Sequence, residues 1–301
     1  MTKNKPNNTS KGVQWKNSLS PQAIEFTQPS IMLKMVSTVD DRGWPHITII
    51  TSNRAIADDT IVWGAFTEGS SKEHVKKNPK QGILYMTAEM PFKFMQVKVE
   101  FEQIKKEGED LEYFNNTELM RYFTYVRVHT AFYNTVVAAT HVRDLPLLGI
   151  ISGIVKNLVG KSGLRTGLDE KRLNPIGYKL YTAPIAVRAI AYVDPTDGYP
   201  IIIPCIPLQA ADHNRLVFPV SSNKLDLFQI PEDAKVAVHC MNFDFANQVV
   251  KGTFTGIQKS RAIKFGVIEI EEIYNSCPPI YGVIYPPERR YERPKVTNFH
   301  L

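Results

Sequence analysis

The sequence predicts a mainly β chain of the α+β class, in which two small barrel-like β units stand in tandem with a helical insertion between them. Two observations carry this. Short runs that alternate apolar and polar residues, broken by Gly, Pro and Asp, mark strands and hairpins. The runs in the second half then repeat those of the first in the same order. Composition agrees: of 301 residues, 43% are hydrophobic and 22% charged, a globular mixture that excludes a collagen, a coiled coil or a disordered chain.

Residues 1–19 are polar without an apolar core, so they read as a flexible tail and not as a secretory signal. The first unit, 20–108, opens with the hairpin VSTVDDRGWPHITII, residues 36–50, which turns at Asp41-Arg42-Gly43. Its counterpart is AIAYVDPTDGYPIII, residues 189–203; Gly43 and Gly198 are 155 residues apart (198 − 43). TIVWGAF, 60–66, is answered by RLVFPVS, 215–221, and SSKEHVKKNP by SNKLDLFQIP, with a lysine seven residues before a proline in both. Lys72 and Lys224 are 152 apart (224 − 72), as are Gln96 and Gln248 in the strands MQVKVEFEQI and NQVVKGTFTGI. Between the units, 109–178 reads as a helical insertion and linker whose candidates are NNTELMRYFTYVRVHTAFYNTVVAAT, where many β-branched and aromatic residues leave a strand open as well, and DLPLLGIISGIVKNLVG. The second unit occupies 179–285 and a C-terminal tail 286–301.

Lys72 is the residue most in need of explanation. Ser70 with Glu73 three residues on has the spacing of a capping box, which starts a short helix that ends before Pro79. A cation in the first turn opposes the helix dipole. An anion there reverses the sign, because a phosphate takes backbone N–H groups, the hydroxyls of Ser70 and Ser71, and the ammonium together. A solvated lysine and backbone-capping serines are the competing explanation.

Other chemistries find no support. The net charge of +6, with basic residues scattered, suits small anionic ligands without pointing to nucleic acid. Cys205, Cys240 and Cys277 are unpaired in spacing, consistent with reduced thiols in a cytoplasmic protein. His239 and Cys240 are adjacent on a strand and point to opposite faces, so no metal site is expected. The apolar window 145–160 is too short and interrupted to span a bilayer; it reads as a buried helix, with a helix lying on a membrane or covering a partner as the other reading, and no membrane partner is expected.

The order of strand, turn, Gly-x-Pro, strand, FT, SSK, NP and QVKVE resembles the pyridoxamine 5′-phosphate oxidase-like FMN-binding split-barrel superfamily. The resemblance covers about two thirds of the chain if both copies count, and it implies two tandem split β-barrels, the first binding FMN. It further implies that Phe66 and Thr67, then Ser70, Ser71 and Lys72, flank the phosphate and ribityl chain, and that Gln96 reaches the flavin. The strand that includes Ile50, Thr51, Ser52 and Asn53 would lie along the ring. The family's serine-arginine-lysine is here Ser-Ser-Lys, and the C-terminal tryptophan and Arg-Leu-x-Pro pattern of true pyridoxamine phosphate oxidases is missing, which sets vitamin B6 chemistry aside. Family members place FMN between two subunits, so a fused pair implies an internal pseudo-dimer. The aromatic group Tyr122, Phe123, Tyr125, His129, Phe132 and Tyr133 would then be either a cover over the site or plain core.

The expected function is therefore an FMN-dependent oxidoreductase with a small-molecule substrate and a nicotinamide or protein electron donor, with a homodimer of the fused chain left open. His46 and His74, near the proposed flavin region, are candidate proton donors, with solvated histidines beside a turn as the other reading, and no catalytic acid or base is assigned. The alternatives are a heme- or deazaflavin-binding split barrel, or a non-catalytic flavin- or ligand-binding module.

Overall fold

The computed structural model describes residues 13–65, 69–122, 127–242, 244, 246–276 and 281–287. The first half begins with β1 (Trp15–Lys16) and α1 (Pro21–Phe26), the latter capped by Ser20, whose hydroxyl accepts from the Ala23 N–H at 3.2 Å. Next come β2 (Leu33–Val39), β3 (Pro45–Ile49), β4 (Asn53–Ala55), β5 (Thr60–Ala65), α2 (Ser70–Lys77), β6 (Lys80–Met86) and β7 (Lys93–Lys105). The half closes with α3 (Glu109–Asn116), α4 (Glu118–Tyr122), β8 (Thr130–Thr140) and β9 (Arg143–Asp144). Helix α5 (Leu147–Gly160) leads into the second half: α6 (Pro175–Thr182), β10 (Val187–Val193), β11 (Pro200–Pro204), β12 (Gln209–Ala210) and β13 (Arg215–Pro219). It ends with α7 (Lys224–Leu227), β14 (Ala234–Met241), β15 (Asn247–Ser260), β16 (Ile263–Asn275) and β17 (Gly282–Tyr285).

The first sheet runs β3-β2-β6-β7-β8-β5-β4 and the second β11-β10-β14-β15-β16-β13-β12, the same path with each strand replaced by its repeat. Strands β1 and β9 join the first sheet, and β17 the second. Both hairpin turns hold their glycine left-handed, Gly43 at φ 77° and Gly198 at φ 78°, where a side chain would be strained. The repeat starts earlier than the strands: Leu19-Ser20-Pro21 is answered by Leu173-Asn174-Pro175, with both leucines buried and both helices capped by a side chain. The two leucine N–H groups even find matching acceptors, Asp58 O at 2.8 Å and His213 O at 2.9 Å.

Each barrel has its own core, with Val36, Ile83, Val97 and Trp63 in the first and Ile190, Val238, Val250 and Phe218 in the second. A third cluster lies between the barrels. There Met35, Ile47, Leu84 and Phe94 meet Ala189, Ile202, Ala237, Val249 and Tyr274. Strands β6 and β14 are thus buried on both faces, which is why ILYM and VAVHC read as continuous apolar runs and not as alternation. Gly82 on β6 lets β11 approach, since any Cβ there would collide with the Pro200 carbonyl.

Several expectations need correction. The stretch placed in a helical insertion contains β8, which sits inside the first sheet beside β7, so that sheet continues well past residue 108. Its β-branched and aromatic content, TAFYNTVVAAT, favours a strand. Trp15–Lys16, assigned to the tail, pairs with β8. The match of Gln96 to Gln248 is one residue out of register: Ile83 pairs with Val97 and Val238 with Val250, which equates Gln96 with Val249 and Lys98 with Lys251. A slip of one residue reverses the face. By the same register Ile83 corresponds to Val238.

Candidate functional site

Strand β3 and the end of β5 reach the same edge of the first barrel, and α2 starts there. The result is a cleft lined on one side by His46, Thr48, Ile49 and Ile50, on another by Trp63, Gly64 and Ala65, and at its end by Gly69, Ser70, Ser71 and Lys72. Tyr274, Ser276 and Tyr281 of the second barrel complete it. The docking of the two barrels therefore supplies the last wall of the cleft.

The start of α2 differs from the expected capping box. Gly69 is the cap residue and no side chain caps the helix; Glu73 pairs instead with Lys76 at 2.9 Å. The serines are used across the cleft. Ser70 Oγ is hydrogen-bonded to the Tyr274 hydroxyl at 2.9 Å, and Ser71 Oγ to Thr48 Oγ1 at 2.7 Å. Lys72 lies in the first turn as expected, so cation and N–H groups face one space. The helix does end before Pro79, at Asn78.

His46 forms the floor. Its ring meets Tyr274 edge-on with centroids 4.5 Å apart and His74 at 5.4 Å, and His74 Nδ1 is hydrogen-bonded to Thr38 Oγ1 at 2.9 Å. Burial, reinforced by the Lys251 ammonium and His74, holds the His46 imidazole well below its ordinary pKa, so it is neutral at pH 7. Among the described residues His46 Nδ1 is buried without a hydrogen-bond partner. Burial also pushes the Tyr274 phenol up, against the opposing hydrogen bond of Ser70.

Of the sequence-predicted residues, the structure brings Ile50, Ser70, Ser71 and Lys72 together in the cleft. Phe66 and Thr67 lie outside the described residues, as do Phe123 and Tyr125. Thr51, Ser52 and Asn53 line a different, smaller cavity beneath α3 and α4. Ser52 Oγ donates to Gly64 O at 2.8 Å, and Asn53 accepts from the Tyr85 hydroxyl at 2.6 Å and, through its carbonyl, from buried Lys34 at 2.6 Å. They hold the barrel together. Phe132 is core, stacked on Trp63 with centroids 3.9 Å apart.

Gln96 is not in this cleft. Its Nε2 donates to Ile202 O at 2.7 Å, and its Oε1 accepts from Arg143, which pairs with Asp226 of α7 at 2.9 Å. Because α7 stands where α2 stands in the first half, Gln96 belongs to the matching edge of the second barrel. That edge is closed. Helix α5 lies against Val220–Ser222, so that a Cβ on Gly149 would come within 2.6 Å of Ser222 O and one on Gly153 within 2.8 Å of Pro207, while Lys156 Nζ donates to Ser221 Oγ at 2.7 Å. The sequence places His46 near this site, though not as a buried residue, and gives no sign of Tyr274 as a neighbour of Ser70. Their proximity depends on how the barrels dock, which no local pattern records.

No family model matches the sequence, and no curated protein matches it. Solved structures similar to part of the chain include an FMN-binding protein from Syntrophomonas wolfei subsp. wolfei, 20% identical over 39% of this chain and 81% of its own, with a TM-score of 0.34. An F420 reductase is 15% identical over 40% of this chain and 98% of its own, with a TM-score of 0.32. HutZ, the heme storage protein from Vibrio cholerae, is 12% identical over 42% and 94%, with a TM-score of 0.31. Each covers about the share of one barrel. The fold assignment rests on strand order and register: the chain is a tandem pair of split β-barrels, docked face to face, with one matching edge open as a cleft and the other filled by α5.

Proposed function

We propose that the open cleft binds FMN, one per chain, and that the protein is an FMN-dependent oxidoreductase of a small molecule, supplied with electrons by a nicotinamide or protein donor. The observation that carries this reading is the convergence in one cleft of an anion-accepting helix start, Gly69–Lys72, and an apolar wall, Ile49, Ile50 and Trp63. The residues fit the group. First-turn N–H groups, the Ser70 and Ser71 hydroxyls and the Lys72 ammonium suit a phosphate. Thr48 and Ser71 suit a polyol chain, and the apolar wall suits a planar ring. His46 Nδ1 supplies a buried polar atom that still lacks a partner.

Bound flavin supplies hydride or electron transfer, which none of these side chains provides. The chain binds and orients: α2 holds the anionic end, and Tyr274 and Tyr281 close the far side against water. Neutral His46 can accept or donate one hydrogen bond at Nδ1, and the Tyr274 phenol stays protonated.

A second reading, heme, draws on His46 alone, whose buried Nδ1 would be the nitrogen that holds the iron. The absorption spectrum of freshly purified protein, followed by identification of the released small molecule, tests both. Flavin absorption with released FMN supports the first. A Soret band moves the cofactor to heme, deazaflavin fluorescence to a deazaflavin, and a colourless protein that refuses added FMN overturns the proposal. Lys72→Ala should weaken FMN by roughly tenfold, about what one charge-assisted hydrogen bond supplies. Unchanged affinity in that variant would remove the phosphate from α2.

A further inference from the structure

Helix α5 is built inside out. Its small residues Gly153, Asn157 and Gly160 are buried against the second barrel, where Asn157 Nδ2 donates to Pro207 O and Gly160 sits on Phe265. Its large aliphatic residues face the solvent: Leu148 is 85% exposed, Ile151 60%, Val155 55% and Leu158 71%. The spacing of these four is that of one helical stripe. A soluble helix with only a core to build would carry the opposite arrangement. The stripe runs along most of a helix about 21 Å long.

Its surroundings are basic. From Leu145 to Leu168 the sequence contains no acidic residue and three cations, Lys156, Lys161 and Arg165. Beside the helix, Lys156 shares one open depression with Lys224, Lys264 and the half-exposed Phe228, again with no carboxylate in the lining.

We propose that α5 is an interfacial membrane helix, which lays Leu148, Ile151, Val155 and Leu158 into the acyl region of an anionic bilayer while Lys156, Lys224 and Lys264 meet the headgroups. This reverses the expectation of no membrane partner. A convex aliphatic ridge without aromatic anchors suits acyl chains, and a basic rim suits anionic headgroups. A second copy of this chain would bring an identical basic rim against this one, so charge opposes a two-fold contact through the same face. Leu147–Leu164 is long and apolar enough to cross a bilayer by composition. Its docking on the second barrel keeps it at the surface instead.

The test is flotation of the full-length protein with phosphatidylcholine vesicles, with and without phosphatidylserine. The expected result is binding that needs phosphatidylserine, weakens at high salt, and falls about tenfold or more in Leu148→Glu/Ile151→Glu. Circular dichroism should show that variant folded, since both side chains are exposed. Absence of binding to anionic vesicles overturns the proposal, and so does binding that the double variant leaves unchanged. A concentration-dependent dimer that this variant dissolves, without vesicle binding, assigns the stripe to self-association and overturns it equally. Capture of an acidic protein by the stripe, again without vesicle binding, does the same.

Discussion

Lys251 Nζ lies 2.9 Å from Asp40 Oδ2, and Lys98 Nζ lies 2.9 Å from Asp194 Oδ2. Each lysine stands on the corresponding strand, β15 or β7, and each aspartate at the start of the other barrel's first hairpin turn. The two contacts are one contact repeated by a pseudo-two-fold axis, as in a symmetric dimer joined into one chain. Lys251 also reaches Glu272 at 3.2 Å, while Lys98 also reaches Asp197 at 2.7 Å.

Removal of a buried partner should therefore cost more than a surface pair would. Lys251→Ala leaves Asp40 and Glu272 with Arg42 as their remaining cation, and a loss of about 1–3 kcal/mol in urea unfolding is expected. The same change at exposed Lys76, which pairs with Glu73, should be nearly neutral. Equal effects would show that the docking contact is not a keystone of stability.

Acid should unfold the protein in two stages. Burial holds His46 well below its ordinary pKa, lowers His74, and takes His239 to about 4. The unfolded chain then binds more protons below about pH 6.5, so stability falls from there toward pH 4, by about 3 kcal/mol from His239 alone. Asp40 adds the second stage. Burial raises its carboxyl, but hydrogen bonds from Lys251, the Trp44 N–H and Arg42 outweigh that and hold it at about 2. Its contribution is complete above the ordinary carboxylate pKa near 4 and is lost as pH falls toward 2. In a denaturation series against pH, His239→Gln should flatten the first stage and leave the second. A flat profile between pH 6.5 and 4 in the wild type would contradict the buried neutral histidines.

Gln96→Ala should separate stability from cofactor affinity. It removes hydrogen bonds to Ile202 O and Arg143 in the interface, so unfolding should come about 1–3 kcal/mol earlier. FMN affinity should stay within about twofold, far from the roughly tenfold expected for Lys72→Ala. A large loss of FMN with unchanged stability would restore the role that the family resemblance implied.

The closed edge makes a further prediction. Gly153→Val drives a side chain into Pro207 and Ser222 and should destabilise by about 1–3 kcal/mol or lift α5 from the barrel. It should leave FMN binding in the open cleft intact, because α5 contributes no residue to it. Coincident loss of FMN would mean that the two edges are coupled.

Much of this fold is legible in the sequence, because a repeat reports topology without a template. The hairpins, Gly43 and Gly198, and the lysine–proline spacing all survive in the structure. Register was less legible: in strands buried on both faces, apolar residues fill every position, and Gln96 and Gln248 offered a false marker one residue out. The strand β8 was hidden by aromatic residues that suit either a helix or a strand. In the cleft, the helix start at Ser70–Lys72 was readable as local chemistry. Tyr274, more than 200 residues away, was not, and neither was the covering of the second edge by α5. Both follow from docking, which the sequence encodes only as two-sided burial.

The most direct measurement is a fluorescence-quenching titration of the apoprotein with FMN, which yields stoichiometry as well as affinity. One FMN per chain, weakened by Lys72→Ala and not by Gln96→Ala, is the result that a single open cleft at α2 predicts. Two FMN per chain, or none, would contradict it.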